Sequence, residues 1–170
     1  MESFIEYMIA QKRTPSVIIK KALIYFAAFF VGLIVSVIMI MIPFNLVSII
    51  PITLFFIFYS AYRINTSFNV EFEYILTNGE LDVDKITHKR KRKRIITVHC
   101  KSFIEFGKIE PGNETDNNSY SQIIDASAKS KTFEDYYAVF YKNGQKVKLI
   151  FNPTGKMTEM FKFYAPRVVK

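Results

Sequence analysis

Six consecutive basic residues, Lys89-Arg90-Lys91-Arg92-Lys93-Arg94, with Lys85 just upstream, form the densest charge in this chain of 170 residues. Ammonium and guanidinium groups so crowded are able to meet anions. Three readings compete. The run could hold acidic lipid headgroups, where each cation near an anionic leaflet contributes about 1 kcal/mol. It could follow a nucleic-acid phosphate backbone. Or it could be a solvated loop and strand edge, whose charge discourages edge-to-edge sheet pairing. Nucleic acid fits least, because no aromatic residues interleave with the run and no RNA-recognition or helix-turn-helix signature is present. The chain as a whole is basic, with 23 Lys and Arg against 15 Asp and Glu and a formal net charge of +8.

The other residues able to do chemistry are few. His88 and His99 are the only histidines and Cys100 the only cysteine. His99 and Cys100, adjacent on a strand, point to opposite faces. No CxxC, HExxH or second cysteine completes a zinc site. Asp82 and Asp84 share a strand face and resemble a carboxylate pair, but opposite Leu81 and Val83 they read as the solvated face. With no glycine-rich phosphate loop and no nucleophile elbow, the expectation is a protein with no catalytic residues, metal or cofactor. The single cysteine excludes an internal disulfide and reads as a small packing residue.

Membrane elements must position the basic run. Residues 22–42 and 44–62 are uncharged runs of 21 and 19 residues. A bilayer core of about 30 Å is crossed by roughly 20 helical residues, and such runs rarely serve as core helices of soluble proteins. Only Pro43 clearly interrupts them, which predicts a helical hairpin, with Pro51 expected to kink the second span. Lys12, Arg13, Lys20 and Lys21 precede the hairpin, Arg63 follows it, and the turn carries no cation. Basic flanks stay in the cytoplasm, so both termini are expected there. A cleaved signal peptide fits poorly, since the first run is too long and lacks a small-x-small site. Ala28, Gly32 and Ser36 recur every four residues and allow close helix approach, either to the second span or to a second copy. Neither span holds an ionisable group of the kind transport routes need, so the hairpin reads as an anchor. Within the cytoplasmic segment 1–21, Phe4, Ile5, Met8 and Ile9 share one helical face, which fits either an interfacial amphipathic helix or a frayed terminus.

A linker, 63–69, leads to a region of period-two alternation. Strands are predicted over Val70–Leu76, Leu81–Asp84, Ile95–Cys100, Phe103–Ile109, Gln122–Ala126, Tyr136–Tyr141 and Lys146–Phe151, with Asn78-Gly79 and Asn143-Gly144 as tight turns. Asn152 is expected to cap a final helix beginning at Pro153, whose apolar stripe is Met157, Met160, Phe161 and Tyr164. The glycosylation patterns Asn65-Thr66-Ser67, Asn113-Glu114-Thr115 and Asn117-Asn118-Ser119 read as turn chemistry on the cytoplasmic side.

Seven short antiparallel strands closed by one helix over residues 70–167 resemble the pleckstrin-homology (PH) superfold. Tyr74-Ile75-Leu76-Thr77-Asn78-Gly79-Glu80-Leu81-Asp82-Val83, and Arg94-Ile95-Ile96-Thr97-Val98 before Phe103, resemble segments of bacterial PH-like domains on membrane-anchored proteins. Ile86-Thr87-His88 departs from that pattern, which often has a glycine after the second strand. The resemblance implies an α+β membrane protein: a transmembrane helical hairpin followed by a seven-stranded antiparallel bent sheet or barrel capped by a C-terminal helix. It implies no activity. The expected role is a non-enzymatic interaction module at the inner membrane face, binding anionic headgroups, a membrane-protein partner or a second copy. The alternative is an accessory subunit of a transporter or secretion assembly.

Overall fold

A computed structural model describes residues 4–42, 46–110 and 119–169. The expected turn at Pro43 and the acceptor sites at Asn113 and Asn117 lie outside the described residues. The chain forms two compact units. One is Arg13–Asn69; the other joins Met1–Lys12 to Val70–Lys170.

The helical unit holds α1 (Pro15–Met41) and α2 (Ile50–Thr66), the second preceded by a short 3-10 turn at Leu46–Ile49. Pro15 stands at the start of α1 and Pro51 at the start of α2. There the missing amide proton costs nothing, so Pro51 begins a helix where a kink was expected. Helix α1 takes in residues 15–21 of the predicted N-terminal segment, and α2 runs through the first part of the predicted linker. Ala28 and Gly32 are the buried residues of α1. A β-carbon on Gly32 would stand 2.9 Å from Leu54 Cδ2, so the glycine admits α2. The Ser36 hydroxyl donates back to the Gly32 carbonyl at 2.7 Å. Asn65 is buried in the last turn of α2 and its side-chain amide donates to the Lys21 carbonyl at 3.4 Å. It therefore ties two helices together, where the sequence indicated turn chemistry.

The second unit contains eight strands among the described residues: β1 (Phe4–Ala10), β2 (Val70–Thr77), β3 (Glu80–Thr87), β4 (Lys91–His99), β5 (Phe103–Lys108), β6 (Gln122–Asp125), β7 (Tyr136–Lys142) and β8 (Gln145–Phe151). They form two four-stranded sheets, ordered β1-β2-β3-β4 and β5-β7-β8-β6. Pairing is antiparallel except for β6, which runs parallel to β8. This corrects an all-antiparallel seven-strand expectation.

The added strand is the largest departure. Residues read as either an interfacial amphipathic helix or a frayed terminus form β1, paired to β2 from Phe4↔Thr77 to Ala10↔Glu71. Ile9, 3% exposed, enters the core beside Phe72 and Tyr74, while Phe4 and Met8 stay exposed. Apolar residues at 5, 7 and 9 supply a period-two face that an interfacial helix would have wasted. The two helices are thus an insertion between adjacent paired strands.

Helix α3 (Gly155–Tyr164) closes the core. Its cap is the Thr154 hydroxyl, which accepts the Met157 amide; Asn152 and Pro153 precede the helix. Met157 and Phe161 are fully buried, and the Phe161 ring lies 5.5–6.0 Å from those of Phe103, Phe106 and Phe151. In the β2–β3 turn, Asn78 and Gly79 have φ of 49° and 83°. Position 79 excludes a side chain twice, because a β-carbon there would also strike the Tyr164 ring at 2.8 Å.

Candidate anion-binding surface

Strand geometry divides the basic run into three groups. Opposite Thr87 stands Lys91, and the register gives Lys85↔Lys93, Ile86↔Arg92 and Asp84↔Arg94. Most of the run is therefore paired strand, where part of it was expected to be a loop. Alternation sends Arg92 and Arg94 to one face of the sheet and Lys91 and Lys93 to the other. Lys89 and Arg90 sit in the connecting turn, which is closed by the Arg90 amide on the Thr87 carbonyl at 3.3 Å. His88 and Lys89 both adopt positive φ, 57° and 55°.

The two arginines are occupied. Arg94 Nε contacts Asp84 Oδ1 at 2.5 Å, and its Nη1 reaches Asp82 Oδ2 at 2.6 Å. Arg92 contacts the Glu73 carboxylate and lies 3.8 Å from Asp84. Glu73 and Asp84 are buried at 0% and 2% exposure. Burial pushes the Glu73 carboxyl above its ordinary range, aided by the neighbouring Glu6 carboxyl and opposed by Arg92. The carboxylates predicted to face solvent, Asp82 and Asp84, are instead counter-ions that hold β3 to β4. Removing one partner of such a cluster leaves an uncompensated buried charge.

Lys85, Lys89, Arg90, Lys91 and Lys93 form no ion pair with an acid among the described residues, and all five are exposed. They gather at one end of the first sheet. The register is decisive: Thr87 pairs with Val70, and Ala10 pairs with Glu71. The Gln11 amide donates to the Val70 carbonyl at 3.0 Å. Strand neighbours lie about 4.8 Å apart, so the cationic turn, which joins Thr87 to Lys91, starts one strand spacing from Val70 and ends two away. The chain leaves this unit after Lys12 and re-enters it at Val70, at this same sheet end.

The remaining chemical candidates are packed away. Cys100 is fully buried and burial pushes its thiol up to about 12, while His99 is exposed and accepts the Lys101 amide. Among the described residues no group of His, Cys, Asp and Glu could hold a metal ion. Sequence reading missed Lys148. On the nominally polar face of β8, it is 2% exposed and its ammonium lies 5.1 Å from the Tyr120 ring centre and 5.4 Å from that of Tyr137. Burial lowers its pKa. Only the adjacent aromatics hinted at this.

The fold has a counterpart in one comparison. A family model described as Bacterial PH-like domain (DUF6106) matches residues 1–170. The chain belongs to this family. The match begins before β1 and runs through both helices, so the family model takes in the helical insertion together with the strands on either side of it. No curated protein and no solved structure matches the chain. Two helices of this member, Pro15–Met41 and Val47–Thr66, are long and apolar enough to cross a membrane.

Proposed function

We propose that this PH-like protein is a non-enzymatic, membrane-anchored interaction module whose helices cross the bilayer and whose cationic sheet end docks on anionic lipid headgroups. The observation carrying the reading is the register Val70↔Thr87. It puts Lys85, Lys89, Arg90, Lys91 and Lys93 at the end of the sheet from which the chain passes into the helices. Exposed apolar side chains support insertion: Phe26, Phe55 and Met41 are 65%, 64% and 79% exposed, a surface suited to lipid. The cationic flanks and uncharged turn favour cytoplasmic termini.

A salt series tests the lipid reading. Full-length protein reconstituted with accessible domains is mixed with anionic or zwitterionic vesicles carrying a fluorescent headgroup. Association is expected with the anionic vesicles alone, and it should fade as salt shortens the Debye length from about 10 Å at 0.1 M. Equal association with both compositions would overturn it.

A second reading has one observation in its favour. An apolar groove of about 500 Å³ runs along the helices, lined chiefly by Ala27, Ala28, Val31, Phe56, Ala61 and Ile64. Such a groove could seat a partner's helix, as an accessory subunit of a larger assembly would require. Detergent purification yielding a stoichiometric integral-membrane partner would favour this reading over the first.

A further inference from the structure

We infer that residues 129–133 form a second membrane-contacting element, an aromatic finger in which Phe133 enters the headgroup region of an anionic bilayer beside Lys129 and Lys131. The inference rests on the proposed membrane docking and adds a contact that the basic run does not supply.

The finger projects from a rigid base. Asn152, 2% exposed, clamps both of its ends: its Oδ1 accepts the Ala128 amide at 2.7 Å, and its Nδ2 donates to the Glu134 carbonyl and to Asp135 Oδ1, each at 2.7 Å. Between these points the chain turns through Lys129 at φ 52° and closes with the Phe133 amide on the Ser130 carbonyl at 3.2 Å. The Ser130 hydroxyl adds a bond to Thr132 Oγ1 at 3.2 Å. A turn so fixed has its side-chain directions set before any partner arrives.

Its place in the unit indicates the partner. The Lys12 amide donates to the Ala128 carbonyl at 2.7 Å, and Gln11 Nε2 reaches the Ser127 carbonyl at 3.3 Å. Lys12 is the last residue of this unit before the helices. The finger therefore starts one hydrogen bond from the point where the chain leaves for its proposed anchor. Phe133 is 41% exposed. Lys131 has no ion pair among the described residues, and Lys129 meets only the half-exposed Asp125 at 3.4 Å. Aromatic rings settle at the headgroup level, and cations beside them gain from an anionic leaflet.

The chain contains no tryptophan, so Phe133→Trp introduces a unique fluorophore. Full-length protein is reconstituted into vesicles of phosphatidylcholine and phosphatidylglycerol, with part of the lipid brominated near the top of the acyl chain. Tyr141→Trp serves as a reference, since Tyr141 is 63% exposed at the opposite end of β7. Lys85→Trp reports on the basic end separately. Phe133→Trp is expected to emit at shorter wavelength than Tyr141→Trp and to be quenched severalfold more by bromine. Quenching of Lys85→Trp without Phe133→Trp would overturn the finger and leave the docking reading standing. Loss of both signals in protein that still floats with the vesicles would overturn both. An indole at position 133 shielded from aqueous iodide but untouched by bromine would mark a protein neighbour, and would also overturn the inference.

Discussion

Arg92 and Arg94 differ from the cations around them because of what lies beneath. Each reaches a carboxylate that is almost fully removed from water, Glu73 or Asp84. Arg92→Gln or Arg94→Gln is therefore expected to destabilise the domain by about 1–3 kcal/mol, the cost of an unsatisfied buried acceptor. Lys89→Gln or Arg90→Gln should change stability by less than about 0.5 kcal/mol. Thermal unfolding of the detergent-solubilised chain compares the two pairs, and equal midpoints would remove the distinction. Glu73 adds a pH signature. Its folded pKa is raised chiefly by burial, so the native state holds the proton more tightly than the unfolded chain. Stability from this group is present below the ordinary value of 4.5 and is lost as pH rises through the folded value,. Glu73→Gln should abolish that loss, and its midpoint relative to wild type should increase between pH 4 and pH 8. A constant difference would show that Glu73 does not titrate in this window.

At the scale of elements, β1 shows what sequence reading could and could not reach. Asn78-Gly79 and Asn143-Gly144 announced their hairpins, and the Met157–Tyr164 stripe announced α3, because these signals are local. Phe161→Ala is expected to cost about 3–5 kcal/mol, since its ring is fully buried among three others. The first strand was not legible locally. Phe4, Ile5, Met8 and Ile9 satisfy a helical period as well as Ile5, Tyr7 and Ile9 satisfy a strand period, and only the open edge of β2, 60 residues later, decides between them. The ion pairs were hidden for a related reason: a bulge between Val83 and Asp84 sets which cations meet which acids. A fragment from Ser67 onward leaves β2 as an exposed edge, which invites aggregation. Joining residues 1–12 to Val70 through a short Gly/Ser turn should instead give a soluble, cooperatively unfolding monomer. Size-exclusion chromatography and circular dichroism of the two proteins provide the check. If the fragment from Ser67 behaves as well as the joined protein, β1 is dispensable.

Across the whole molecule, the pairing of β1 with β2 imposes a rule on the helices between them. Strands that share a ladder from Phe4↔Thr77 to Ala10↔Glu71 must lie on the same side of any membrane the chain crosses. The intervening helices therefore cross an even number of times, whichever side the termini occupy. This parity argument is independent of the distribution of Lys and Arg, on which the cytoplasmic assignment depends. It predicts opposite results for two deletions. Removing both helices and closing the gap keeps β1 and β2 on one side, so the domain should fold. Removing residues 50–66 alone leaves one span and separates the strands across the bilayer. That variant should lose the β1–β2 ladder and become sensitive to protease even though more of the chain remains. Limited proteolysis of both variants in membranes, with reporters active on only one side fused to Lys170, distinguishes the outcomes. A protease-resistant domain in the single-helix variant would mean that the helices lie on the membrane without crossing it, because strands held on opposite faces cannot pair.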